Sequence, residues 1–218
     1  MLEVRNVSKK YRYKTVLQHV NFTIQSGEIV GIVGRNGAGK TTLLHIVATL
    51  LKQDEGVVLW NGMDHVKTLR KEIGFVPQEL AIFEDLTVQE NMQFFEQLSP
   101  VRRNVDELEM LCQQMALHAW QESVSKLSGG MKRKLNLAIS LIHRPSLLLL
   151  DEPTVGIDLK SKLEIATALQ TLAQNGATIL YISHDMDEIL NLCTRILSVG
   201  DDDFYANLLA GKIPIDNV

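Results

Sequence analysis

Apolar and polar positions along this chain alternate between two kinds of segment. Residues 28–33, 147–150, Thr178–Ile182 and 196–199 are short apolar runs of strand length, the pattern of strands buried in a core, and Ile73–Val76 is a shorter one. Residues 4–7, 20–24 and 57–60 read as strands of a small antiparallel sheet, the last closing at the turn signal Asn61-Gly62. Residues 41–47 continue as a helix after the first apolar run. From Thr87 to Gln114 the pattern is helical and rich in Gln, Glu, Met and Leu, with a break at Ser99-Pro100. Met131, Leu135, Ala138 and Ile142 then share one helical face. Leu159–Gln174 reads as a helix stopped by Asn175-Gly176, and Met186–Leu192 as another. Strands alternating with helices in this way predict an α/β fold, a mostly parallel sheet joined by right-handed crossovers, interrupted by a helical insert. The expected division is a single unit over 1–218: a core from 1–77 and 144–218, and an insert over 78–143.

Composition narrows the class. The chain has 218 residues, of which 45% are hydrophobic, ample for a core. No stretch approaches the roughly 18 uninterrupted apolar residues of a membrane span, and the amino terminus lacks a signal-peptide layout. A cytoplasmic protein is expected. Cys112 and Cys193, far apart and without metal-ligand spacing, read as reduced, half-buried thiols. Twenty-two basic and 26 acidic side chains give a net charge of −4 without a long basic run, so nucleic acid is not the expected partner. Asp201-Asp202-Asp203 reads as a solvated turn.

The chemistry lies at the ends of the apolar runs. After residues 28–33 comes Gly34-Arg35-Asn36-Gly37-Ala38-Gly39-Lys40-Thr41, then Thr42 and a helix. Glycines at this spacing let successive N–H groups curl around phosphates, Lys40 adds a flexible positive charge, and the helix N-terminus favours an anion. The Thr41 hydroxyl is placed to ligate magnesium held against the β and γ phosphates. The leucine run at 147–150 delivers Asp151 and Glu152 to a strand's carboxyl end, where α/β sheets bind ligands. Asp151 suits a magnesium ion through water; Glu152 suits a water attacking the γ phosphate. Pro153 is expected to hold Glu152 in an extended backbone. Between these two elements stands Leu127-Ser128-Gly129-Gly130, a hydroxyl and two small residues before a helix expected from about Met131, the makings of a second phosphate site.

The phosphate loop, Leu127–Gly130 and the acidic strand, in this order and at roughly these intervals, resemble the ATP-binding subunits of ABC transporters. The resemblance runs from about residue 2 to residue 200. It implies a P-loop NTPase (RecA-like) fold with a small antiparallel β subdomain and an inserted helical subdomain, and a magnesium-dependent ATPase whose cofactors are ATP and Mg2+. It identifies Gln78 with the glutamine that senses magnesium and the attacking water, His184 with the histidine that hydrogen-bonds the γ phosphate, and Asp158 with an aspartate at the dimer interface. Asp158 is equally suited to cap the helix at Leu159. Tyr11 resembles the aromatic that stacks on adenine, with Tyr13 close by.

The same resemblance implies that Leu127, Ser128, Gly129 and Gly130 act on the ATP of a second copy, two copies packing head to tail around two ATP sites. It also implies a separate transmembrane permease, with the chain peripheral on the cytoplasmic face of the membrane and the permease docking near 78–90, where Ile82, Phe83 and Leu86 are apolar. Leu159 and Arg35 stand where the family often has proline. Met131-Lys132-Arg133 is more like exporters of drugs, antibiotic peptides and lipids than like importers. Little chain follows 196–199, so no carboxyl-terminal regulatory domain is expected. The alternatives are a soluble ABC-type ATPase acting on ribosomes or DNA, and a nucleotide-binding module without turnover. The presence of Glu152 and His184 disfavours the second.

Overall fold

The computed structural model describes residues 1–200, 204–209 and 211–218, so Asp201-Asp202-Asp203 lies outside the described residues. In chain order the elements are β1 (Leu2–Tyr11), β2 (Lys14–Ile24), β3 (Ile29–Val33), α1 (Lys40–Val47), β4 (Glu55–Trp60), α2 (Val66–Glu72), β5 (Ile73–Val76), α3 (Val88–Leu98), α4 (Val105–Gln114), α5 (Gly129–Ser140), β6 (Leu147–Asp151), α6 (Leu159–Gln174), β7 (Thr178–Ile182), α7 (Met186–Leu192), β8 (Arg195–Ser198), α8 (Phe204–Leu209) and β9 (Ile215–Asn217). Six strands form one sheet in the order β5-β6-β7-β3-β8-β9, every neighbouring pair parallel. A second sheet, β2-β1-β4, is antiparallel.

Residue alternation along the main strands explains the layering. Leu147 and Leu149 of β6 pack with Val30, Ile32, Leu180 and Ile182 in a layer shared with α1 and the small sheet. Leu148 and Leu150 point the other way, into a layer with Ile179, Tyr181 and the apolar faces of α3, α4, α5 and α6. Strands covered on both faces have no polar side to show, which is why these runs are continuous in sequence. Asn61 and Gly62 both have positive φ, 50° and 79°, the signature of a tight hairpin turn, and Trp60 bridges Met63 across it.

Local signals set the helix ends. Ser99 caps the end of α3, and Asn104 opens α4 by accepting from the Glu107 N–H at 2.9 Å, with Glu107 returning the bond to the Asn104 N–H at 3.0 Å. Thr87 and Glu90 make the same reciprocal cap for α3. Helix α5 starts at Gly129, two residues before the expected Met131, because Ser128 caps it. It ends at Ser140, so Ile142 reaches the core from the following turn rather than from the helix. Both cysteines are fully buried, not half-buried, and burial pushes each thiol up to about 12.

Candidate nucleotide site

Parallel register assembles the site. Val76 of β5 pairs with Leu150 of β6, and Asp151 of β6 pairs with Ile182 of β7. Beyond Val76, Asp151 and Ile182 the chain leaves the sheet, so Gln78, Glu152 and His184 emerge side by side at three adjacent carboxyl ends. The Gln78 amide Nε2 donates to Glu152 Oε2 at 3.1 Å, and His184 Nε2 lies 2.7 Å from Glu152 Oε1. One carboxylate is therefore held from both sides. The fourth strand end, that of β3, carries the glycine-rich loop into α1.

A cavity of about 420 Å³ opens here, lined by Asn36, Gly37, Gly39, Lys40, Thr41, Thr42, Glu152, His184 and Val16. Gly34 closes the loop against β8: a Cβ there would stand 2.5 Å from the Val199 carbonyl oxygen, and its φ of 151° favours glycine. Lys40 is only 8% exposed and donates to the carbonyls of Gly34 at 2.8 Å and Arg35 at 3.1 Å. Burial lowers its ammonium from the ordinary range, opposed by the charges of Glu152 and Asp151. Burial likewise pushes the Asp151 carboxyl up, and the hydrogen bond from the Thr41 hydroxyl offsets this only in part.

Glu152 departs from expectation. Its φ is 48°, the left-handed region, whereas Pro153 had been expected to hold it extended. The Glu152 N–H donates to the Ile182 carbonyl at 3.0 Å, and its own carbonyl accepts from Val155 N–H at 3.3 Å. These bonds hold the chain in a sharp turn that a proline neighbour alone does not set. Non-glycine residues in this conformation carry strain, which clusters at functional positions.

The remaining expected residues fall in two places. Ser128 is exposed and accepts from the Met131 N–H at 3.3 Å; its neighbour Leu127 is buried, and Gly129 and Gly130 begin α5. No acidic side chain lies in that turn. Asp158 caps α6, accepting from the Ser161 N–H at 3.0 Å and its hydroxyl at 2.7 Å. Tyr11 sits at the end of β1, 46% exposed, with the Lys9 ammonium 5.7 Å from its ring centre. The cavity wall described above includes Val16 and not Tyr11.

A buried network behind His184 escaped sequence reading. Glu188 Oε2 accepts from the hydroxyls of Thr154 at 2.7 Å, Tyr181 at 2.8 Å and Ser183 at 2.9 Å, while Lys162 bridges Glu188 at 2.9 Å and Asp185 at 2.8 Å. Glu188 follows His184 closely in sequence, on α7; its partners come from β7, from the chain just past β6 and β7, and from α6, which only the fold brings together.

Strand ends presenting a phosphate loop, an acidic pair and a histidine around one cavity define a nucleotide-hydrolysing P-loop fold. The family described as ABC transporter matches residues 17–155. The chain is 35% identical over 205 residues to the linearmycin resistance ATP-binding protein LnrL of Bacillus subtilis, covering 90% of this chain and 65% of that protein. It is 36% identical to the spermidine/putrescine import ATP-binding protein PotA of Spiroplasma citri, covering 92% and 59%. It is 35% identical to the lipopolysaccharide export system ATP-binding protein LptB of Haemophilus influenzae, covering 92% and 87%. The chain thus spans about three fifths of the length of the first two relatives. A dimeric ATP-binding cassette solved in a post-hydrolysis state with ADP and Pi superposes with a TM-score of 0.80 at 27% identity, over 91% of this chain and 94% of that one. The chain is an ATP-binding domain of the ABC transporter family.

Proposed function

We propose that the protein hydrolyses ATP within a head-to-tail pair of copies and so drives a separate membrane-spanning permease, in the direction of export, from the cytoplasmic face of the membrane. The observation that carries the reading is Glu152, fixed between Gln78 and His184 at the rim of the phosphate-loop cavity. A carboxylate so held is oriented to take a proton from water attacking the γ phosphate. Residues 34–42 cradle the phosphates, with Lys40 turning from its loop carbonyls to the β and γ oxygens. Tyr11 stacks on adenine from the end of β1. His184 steadies the γ phosphate.

The donors beside the loop are hard oxygens, the Thr41 hydroxyl, the Asp151 carboxylate and the Gln78 amide, a set that fits magnesium. Bound there, magnesium would neutralise charge on the β and γ phosphates. Leu127–Gly130 of one copy meets the ATP of the other, and Asp158 lies at the same interface. The core is 1–77 with 144–218, and 78–143 is the helical insert that meets the permease. Phe83, 45% exposed and packed edge-on to Phe94, offers it an apolar face. Among the described residues no helix is long and apolar enough to cross a membrane.

Met131-Lys132-Arg133 and the lipopolysaccharide export relative favour export. The spermidine/putrescine import relative makes uptake the competing reading, which transport by the reconstituted permease complex decides. For hydrolysis the test is Glu152→Gln, which should lower ATP turnover by about 10²- to 10⁴-fold while ATP binding persists. Undiminished turnover would overturn the reading.

A further inference from the structure

The loop between β5 and α3 is fastened along a single helix. Arg133 of α5 donates from Nη1 to the Gln78 carbonyl oxygen at 2.6 Å. The Asn136 side-chain oxygen accepts from the Ala81 N–H at 3.3 Å, and Lys132 pairs with Glu84 at 2.6 Å. Positions 132, 133 and 136 are neighbours on one helix face, related by three- and four-residue steps. All three reach the same loop.

Gln78 is the link that gives this fastening a chemical consequence. Its backbone carbonyl is held by Arg133, and its amide donates to Glu152 at 3.1 Å. Burial holds the Arg133 guanidinium below its ordinary range and the Glu152 charge opposes that shift, so the cation lies within electrostatic reach of the carboxylate. Lys132 and Asn136 anchor the loop further on, at Glu84 and Ala81; Arg133 alone of the three touches Gln78.

We propose that Arg133 is a positioning residue that sets Gln78 against Glu152 by holding the Gln78 backbone carbonyl. The inference rests on the role given above to Glu152. With the carbonyl held, the Gln78 amide is aimed at the Glu152 carboxylate. Without Arg133 the loop is still fastened at Ala81 and Glu84, but Gln78 loses the contact that orients it.

The test is a double-variant cycle on the full chain, reading ATP turnover against ATP concentration, nucleotide binding and thermal unfolding. Arg133→Gln should lower kcat by about 10- to 100-fold, the range that misplacement of a catalytic group produces, and leave KM and nucleotide binding unchanged. Arg133→Lys, which still offers a donor to a carbonyl, should restore most of the turnover. In a Gln78→Ala background Arg133→Gln should cause no further loss, because the two act through one contact. If Arg133→Gln does not fold, the cycle is run with Arg133→Lys, whose smaller loss must also vanish in that background. Losses that multiply in the double variant, or a turnover undiminished by Arg133→Gln, overturn the role of Arg133 while leaving the hydrolysis reading in place. Undiminished turnover in Glu152→Gln overturns both.

Discussion

Gly129 and Gly130 are adjacent and chemically identical, yet they face different constraints. A Cβ on Gly130 would overlap the Ser161 side chain and stand 3.3 Å from Asp158 Oδ2; one on Gly129 would meet only Ile157 Cγ2, at 3.8 Å. Ser161 cannot withdraw freely, because its N–H and hydroxyl both bond the Asp158 carboxylate that caps α6. Gly130→Ala should therefore destabilise the fold by about 1–3 kcal/mol, the usual cost of overpacking. Gly129→Ala should be neutral or stabilising by up to about 1 kcal/mol, since alanine favours a helix over glycine. Thermal unfolding of the two variants checks this; equal shifts would show that the contact with Ser161 carries no weight. In sequence both glycines promise only close backbone approach. That Gly130 joins the start of α5 to the cap of α6 depends on two helices meeting across about 30 residues of chain. Asp158 shows the same limit: the cap is legible from its place before Leu159, its neighbour across the gap is not.

Among the elements, the strongly patterned ones were legible and the weakly patterned ones were not. Residues 147–150 and Thr178–Ile182 lie where continuous apolar runs announce strands buried on both faces. β9 contains Ile-Asp-Asn, no apolar run, and is held at the sheet edge by pairing with β8 and by the ion pair of Arg195 with Asp216. α2 buries Leu69 alone, too little to leave a helical period. α7 lies over Met186–Leu192, where the sequence announces a helix, but its role follows from Glu188 and its partners. Burial pushes that carboxyl up, and Lys162 with the hydroxyls of Thr154, Tyr181 and Ser183 outweighs it, so the folded value lies below the ordinary one. Lys162 lowers Asp185 in the same direction. A depressed carboxylate contributes stability above its unfolded value, about 4.3 for glutamate, and loses it as pH falls through the folded value. Glu188→Gln should thus destabilise by about 1.5–3 kcal/mol at neutral pH, the range for hydrogen bonds to charged groups, and converge with the parent in acid. Chemical denaturation at both pH values reads this out. A loss as large in acid as at neutral pH would assign the effect to packing rather than to the charge.

At the scale of the whole molecule, the proposed head-to-tail pair has each chain present two half-sites on separate elements. The phosphate loop, Glu152 and His184 converge at the carboxyl ends of β3, β6 and β7 around one cavity, with Asp151 buried behind Thr41; Ser128 does not line that cavity. Ser128 is instead exposed at the start of α5, next in sequence to the buried Leu127. An exposed helix start with no acidic side chain favours an anion from outside the chain, and in a head-to-tail pair that anion is the partner's ATP. Ser128 also caps α5, so removing its side chain confounds two effects. Ser128→Asp separates them: aspartate caps as well as serine, while its charge repels a phosphate. The variant should fold and bind ATP as the parent does, with stability changed by no more than about 0.5 kcal/mol. In a Glu152→Gln background, where ATP is retained, the parent should elute as a dimer in ATP and magnesium and the Ser128→Asp variant as a monomer. Dimerisation undiminished by the aspartate would place the contact between copies elsewhere on the surface.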